Sequence, residues 1–203
     1  MSRDISAQLT NRREAGLGTT NYLYDGANTV EELNAADTVL ARYAQGAGID
    51  EPLAASRSTT EFYNADGLGS ITSLGTSAGA LSDSFVYDTF GNLGSLTGSF
   101  AQSFRYTSRE WDSEAGLYYY RARYYDPQVG RFLSEDPIGF RAGINMFEYV
   151  HNNPTNSIDP SGKQAQKSPF CDRDGTCSIH LTCLPTHGTE FTHCDVTTRN
   201  GHL

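Results

Sequence analysis

Gly116-Leu117-Tyr118-Tyr119-Tyr120-Arg121-Ala122-Arg123-Tyr124-Tyr125-Asp126-Pro127 is the stretch on which the fold turns. Aromatic side chains crowd it, and they suit a pleated, half-buried surface better than a helix. Residues 117–125 predict one aromatic-rich strand. Asp126-Pro127 ends it, because Asp favours a turn and Pro cannot donate to a ladder. Rings at strand spacing form core, with each hydroxyl able to reach water on the wetter face of a sheet. A stacking platform for bases or sugars is the rarer alternative.

The same unit recurs upstream. Tyr24-Asp25-Gly26 and Tyr87-Asp88 with Gly91-Asn92 place Tyr-Asp just before a glycine, and Tyr63-Asn64 with Asp66-Gly67 is a looser copy. Tyr87, Tyr106 and Tyr125 are spaced 19 residues apart. A period near that length means stacked units, each unable to bury its apolar face alone. Each unit reads as strand, turn, strand, with glycine supplying the positive φ of the turn. Val30 to Tyr43 predicts strand, turn at Asn34-Ala35-Ala36-Asp37, and strand; an amphipathic helix is the alternative there. Asn145 to Val150 predicts one short helical turn. The fold class is therefore mainly β, with antiparallel hairpin repeats forming a curved sheet and short helical turns near its C-terminal end.

Composition bounds the function. The 203 residues carry 15 Lys and Arg against 24 Asp and Glu, a formal charge of −9. Phosphate contacts need clustered basic side chains, so nucleic acid is not an expected partner of this region. No run approaches the ~18 apolar residues of a spanning helix. Met1 to Gly16 is polar and charged, so it does not read as a secretory signal. Three zones follow: a polar N-terminal edge at 1–20, a Tyr- and Gly-rich zone at 21–162, and a chemically different tail at 163–203.

At Tyr87 the motifs become specific. Tyr87-Asp88-Thr89-Phe90-Gly91-Asn92, the stretch from Gly116 to Pro127, Gly130-Arg131-Phe132-Leu133-Ser134, Asp136-Pro137-Ile138-Gly139, Tyr149, Asn152-Asn153-Pro154 and Asp159-Pro160-Ser161-Gly162 stand in one order. Together they resemble the core domain of rearrangement-hotspot (Rhs) and YD-repeat proteins, a family that includes teneurin-like shells. The resemblance runs from Asn21 to Gly162 and implies terminal repeats at 21–86 followed by the core domain at 87–162. It implies a β-sheet coiled into a shell around a variable C-terminal toxin, with a plug that cuts the toxin free. The chain is too short to build that shell and is expected to be the C-terminal part of such a protein. Its implied partners are the rest of a shell or its own tail, and an immunity protein for the tail. Export or a cell-surface location is likewise implied by the resemblance. A sheet cut from a longer spiral leaves an unpaired edge that recruits other chains. The isolated protein is expected to associate unless Met1 to Thr20 covers that edge.

The resemblance also assigns a self-cleaving site of aspartic-protease type. By motif position its carboxylates are Asp136 and Asp159, with Arg123 in support and the cut at Gly162 or Lys163. Two close carboxylates resist double ionisation, so one serves as acid and the other as base. Arg123 would orient one of them by a charge-assisted bond. Read from spacing alone, Asp-Pro-x-Gly is equally a turn: Asp bonds the backbone two residues on, Pro fixes φ, and Gly closes. The family pattern has Leu after Asp-Pro-x-Gly, and here Lys163 stands. An ammonium in an apolar pocket costs several kcal/mol, so cleavage is expected to be weakened and Lys163→Leu to raise it. No cofactor and no external substrate are expected.

The tail holds all four cysteines, Cys171, Cys177, Cys183 and Cys194, with His180, His187, His193 and His202. Cys177, His180, Cys183 and Cys194 are weak candidates for a metal site, since their spacing fits no standard zinc pattern. Two disulfides suit an exported tail equally well. The tail also reads as a toxin stub too short to fold alone, or as a remnant of a cysteine-dependent hydrolase built on Cys194. A surface or carbohydrate-binding repeat protein without toxin activity is the remaining alternative.

Overall fold

The computed structural model describes residues 8–14, 18–98, 103–168, 180–184 and 193–197. Nine strands form one sheet: β1 (Gln8–Glu14), β2 (Gly18–Asp25), β3 (Asn28–Leu33), β4 (Val39–Gln45), β5 (Pro52–Ser56), β6 (Thr60–Ala65), β7 (Ile71–Thr76), β8 (Leu81–Tyr87) and β9 (Leu93–Thr97). Their order in the sheet is their order in the chain, and each neighbour is antiparallel. The sheet stays open, with β1 and β9 outermost. β1 lies along β2, so residues 8–14, within the stretch expected to cover an open edge, pair with the first repeat strand. Register shifts interrupt six of the eight pairings. Such bulges bend a strand and increase its twist. The mainly β, antiparallel class agrees with the repeat pattern.

The turns explain the repeat. Asp66 Oδ1 accepts the N–H of Leu68 at 2.9 Å and of Ser70 at 2.8 Å, and Gly69 closes the turn at φ +80°. Asp88 Oδ1 does the same for Phe90 and Asn92, both at 2.9 Å, with Gly91 at φ +88°. Asn34 Oδ1 takes Ala36 and Thr38 between β3 and β4, so the strand–turn–strand reading of Val30 to Tyr43 holds. The carboxylate or amide satisfies backbone donors that the turn would otherwise leave unpaired.

A second sheet follows: β10 (Glu110–Asp112), β11 (Leu117–Tyr120), β12 (Arg123–Asp126) and β13 (Arg131–Phe132). Here the structure corrects the sequence reading. Residues 117–125 are not one strand but a hairpin, in which Tyr120 faces Arg123 across a two-residue turn. Arg121 takes φ +57° there, and the Ala122 N–H bonds the Tyr120 carbonyl at 2.6 Å. Neither residue is a usual turn former, so composition concealed the reversal. The helical turn expected at 145–150 lies at Val150–Asn152, all three residues at positive φ. A further 3-10 turn spans Gly139–Arg141.

Two apolar clusters meet at Tyr87. One joins Ala41, Tyr43, Ala55, Ile71, Leu74, Phe85 and Phe104. The other joins Tyr106, Tyr118, Tyr120, Tyr125, Phe132, Tyr149 and Val150. The tyrosine hydroxyls do not turn to water, as a half-wet sheet would have it. Tyr106, Tyr125 and Tyr118 donate to the carbonyls of Thr89, Phe90 and Gly91 at 3.0, 2.8 and 3.0 Å. Three buried rings thus cap one turn of the large sheet. Each such bond contributes about 1 kcal/mol net.

Two further pairs complete the described strands: β14 (Ser157–Ile158) with β15 (Gln166–Lys167), and β16 (His180–Leu184) with β17 (His193–Thr197).

Candidate functional site

Arg123 opens β12, and its side chain is 2% exposed. Its Nη2 lies 2.7 Å from Asp136 Oδ2 and 3.4 Å from Asp159 Oδ2. Its Nε donates to the Gly162 carbonyl at 2.6 Å, and Nη1 donates to the Met146 carbonyl at 3.0 Å. The guanidinium carbon sits 3.6 Å from the centre of the Phe132 ring, whose face favours a cation. Burial pushes the Arg123 guanidinium down from its ordinary value, and Asp136 and Asp159 hold it up. The sequence reading gave Arg123 one carboxylate; it holds both.

Both Asp-Pro-x-Gly motifs are turns, and each also turns one carboxylate oxygen toward Arg123. Asp136 Oδ1 accepts the Ile138 N–H at 2.9 Å, its carbonyl accepts Gly139 N–H at 2.9 Å, and its Oδ2 faces Arg123. Asp159 Oδ1 accepts Ser161 Oγ, Lys163 N–H and Gln164 N–H at 3.2, 3.1 and 3.1 Å, while its Oδ2 faces Arg123. One oxygen of each carboxylate builds the turn and the other meets the guanidinium. Gly162 takes φ +67°, and a Cβ there would stand 2.1 Å from the Tyr120 carbonyl oxygen. Only glycine fits this approach.

The Gly162–Lys163 peptide bond is consequently held at both ends. Its oxygen accepts from Arg123 Nε, and its nitrogen donates to Asp159 Oδ1. Beside it lies a cleft of about 90 Å³ whose walls include Arg123, Asp136, Asp159 and Lys163. That is room for water. Lys163 itself is exposed. The expected burial of an ammonium in an apolar pocket is therefore corrected: Lys163 lies at the solvent-open wall of the cleft and is not enclosed.

A second charged cluster escaped the sequence reading. Asp50, between β4 and β5, receives both terminal nitrogens of Arg121, at 2.7 Å to Oδ1 and 3.1 Å to Oδ2. Arg109 Nη1 lies 3.0 Å from Asp50 Oδ1. Burial pushes the Asp50 carboxyl up, and Arg109 opposes that. Asp50 and Arg121 are 71 positions apart, so no local pattern could have joined them.

In the tail, Cys171, Cys177, His187 and His202 lie outside the described residues. His180 and Cys183 fall on β16, and His193 and Cys194 on β17, with Cys183 opposite Cys194 in the register. Among the described residues, no three His, Cys, Asp or Glu side chains are grouped to hold a metal, and no helix is long and apolar enough to cross a membrane.

No protein-family model matches the chain. Its sequence is 34% identical over 152 residues to the tRNA nuclease WapA of Bacillus subtilis strain 168, covering 70% of this chain and 6% of that protein. It is 31% identical over 150 residues to double-stranded DNA deaminase toxin A of Burkholderia cenocepacia, covering 71% of this chain and 10% of that protein. The chain is a relative of toxin proteins. The crystal structure of TcdB2-TccC3 has the same fold over 77% of this chain and 8% of its own, with a TM-score of 0.60 and 21% identity. The chain thus spans a tenth or less of the length of each.

Proposed function

We propose that the chain is the self-processing end of an Rhs-type toxin shell and breaks its own Gly162–Lys163 bond. The single observation that carries this reading is that bond's double grip, Arg123 on the oxygen and Asp159 on the nitrogen. Water enters the cleft beside Asp136 and attacks the Gly162 carbonyl carbon. One carboxylate takes the water's proton, and the other, in its protonated form, delivers one to the Lys163 nitrogen. The carbon–nitrogen bond breaks, leaving a carboxyl group at Gly162 and an amine at Lys163. Charge developing on the carbonyl oxygen meets the Arg123 N–H, already in place and shielded from bulk water. No external substrate is turned over.

The wider part of the proposal concerns the open sheet. Its outer strands would continue into the shell of a longer chain, with residues 163–203 as the released segment, an immunity protein as that segment's partner, and export as the setting. Relationship to toxins of far greater length supports this reading.

Intact mass spectrometry of purified full-length chain tests the cleavage. Two fragments meeting at Gly162 and Lys163 are expected, and Asp136→Asn should leave the chain whole. A wild-type chain that stays whole after prolonged incubation overturns the reading.

A further inference from the structure

The Asp159–Gly162 turn is held from behind as well as from the front. The Pro160 carbonyl, two residues before Gly162, accepts from Arg109 Nη1 at 3.2 Å and from Arg121 Nη1. Those are the two cations that Asp50 gathers. The Ala122 N–H adds a long bond to the Ser161 carbonyl at 3.4 Å. Arg109 is 2% exposed, the Asp50 side chain 9% and the Arg121 side chain 19%, so water reaches the group only at its Arg121 edge. Without the Asp50 charge, two guanidiniums would face one another across a single carbonyl oxygen, and like charges at that range separate. The Pro160 carbonyl would lose its fixed direction. Gly162 and Lys163, next along the chain, would shift against Arg123 and Asp159.

Asp50 does not belong to this turn's own sheet. It sits between β4 and β5 of the nine-stranded sheet, at φ +66°, while Arg121 is the turn of the β11–β12 hairpin. We infer that Asp50 is a positioning residue for the Gly162–Lys163 bond, and that it makes cleavage conditional on docking of the nine-stranded sheet against the site. The inference rests on the cleavage reading for its consequence, and on the Asp50–Arg121–Arg109–Pro160 geometry for its cause. A chain whose sheet is unformed would keep Asp136, Asp159 and Arg123 yet hold the bond loosely.

The test replaces Asp50 by Asn, which fits the same positive φ and the same volume but carries no charge. Two measurements are made on the full chain. First, the cleavage rate after refolding, followed by intact mass, should fall about a hundredfold, the usual cost of misplacing a reacting group by an ångström. Second, amide hydrogen exchange is compared in the uncleaved Asp136→Asn background, with and without Asp50→Asn. The Lys163 and Gln164 amides should exchange about tenfold faster once Asp50 is neutral, with β7 and β8 amides unchanged. Unchanged exchange at Lys163 and Gln164 overturns the positioning role, whether or not the wild type cuts itself. Faster exchange across β7 and β8 as well also overturns it, since Asp50 would then be a general support of the fold. A wild type that never cuts, with exchange still faster only at those two amides, removes the cleavage reading and leaves the positioning role.

Discussion

The nine-stranded sheet and the four-stranded unit stand against one another, bury side chains side by side, and obey different rules. In the sheet, every strand pairs with its sequence neighbours, and the apolar cluster mixes Ala41, Ala55, Ile71 and Leu74 with a few rings. In the smaller unit, six of the seven clustered residues are aromatic, and Arg109, Arg123, Asp136 and Asp159 are buried with them. Its contacts join distant positions, such as Arg123 to Gly162 and Arg121 to Asp50. A meander can loosen one hairpin at a time. The smaller unit's strands also pair with their sequence neighbours, but its buried charges are tied to distant positions, so it stands or falls together. The site sits in the part that tolerates least.

The comparison breaks most sharply at Phe132. Phe132→Ala should cost about 3–5 kcal/mol from the cavity alone and also remove the ring beneath Arg123, abolishing cleavage. Leu74→Ala in the sheet should cost about 2–5 kcal/mol. Urea unfolding of both variants, with cleavage followed below the midpoint, separates them: folded Leu74→Ala should still cut, and folded Phe132→Ala should not. If both cut alike, the two regions do not differ as described.

Alkaline titration comes next in size. Burial pushes the hydroxyl of Tyr149 up to about 12 and raises Tyr120 and Tyr106 well beyond the ordinary value of 10.0. A folded value above the unfolded one means that the contribution is fully present below about pH 10 and is lost as pH rises through the folded values. Tyrosinate absorbance should therefore rise together with loss of the smaller unit's circular-dichroism signal. Ionisation of these rings near pH 10 without unfolding would contradict their burial.

Asp66→Ala sharpens the contrast from the sheet side. It deletes the acceptor for two backbone donors, Leu68 and Ser70, in one turn. A loss of about 1–2 kcal/mol in thermal unfolding is expected, with the cleavage rate of the folded chain unchanged. The smallest effect belongs to Lys163→Leu. Since Lys163 is exposed, stability should move by no more than about 0.5 kcal/mol and the rate by no more than about twofold. A large acceleration would restore the pocket that the sequence pattern led one to expect.

The two regions also differed in how far they could be read from sequence. Tyr-Asp before glycine is a local device, so the turns at Asp66 and Asp88 and the strands beside them showed in the spacing. The hairpin at Arg121 did not, because a long basic residue at positive φ is stabilised by partners 39 and 71 positions away. Asp136, Asp159 and Arg123 were legible only through a family motif; spacing alone made the two carboxylates turn residues, which they also are. Asp50 left no trace in any short pattern, since its role exists only once two sheets have met.

One feature of the junction reaches beyond the site. Directly past Gly162 the grip is on amides: the N–H groups of Lys163 and Gln164 meet Asp159, while Lys163 is exposed. Every residue except proline carries the same N–H. At those two positions the grip therefore reads no side chain; the choice of residue matters again a few steps on, where Ala165 packs on the aromatic cluster and the buried Ser168 hydroxyl donates to the Gly67 carbonyl, so a foreign sequence could be spliced in freely only behind that second anchor.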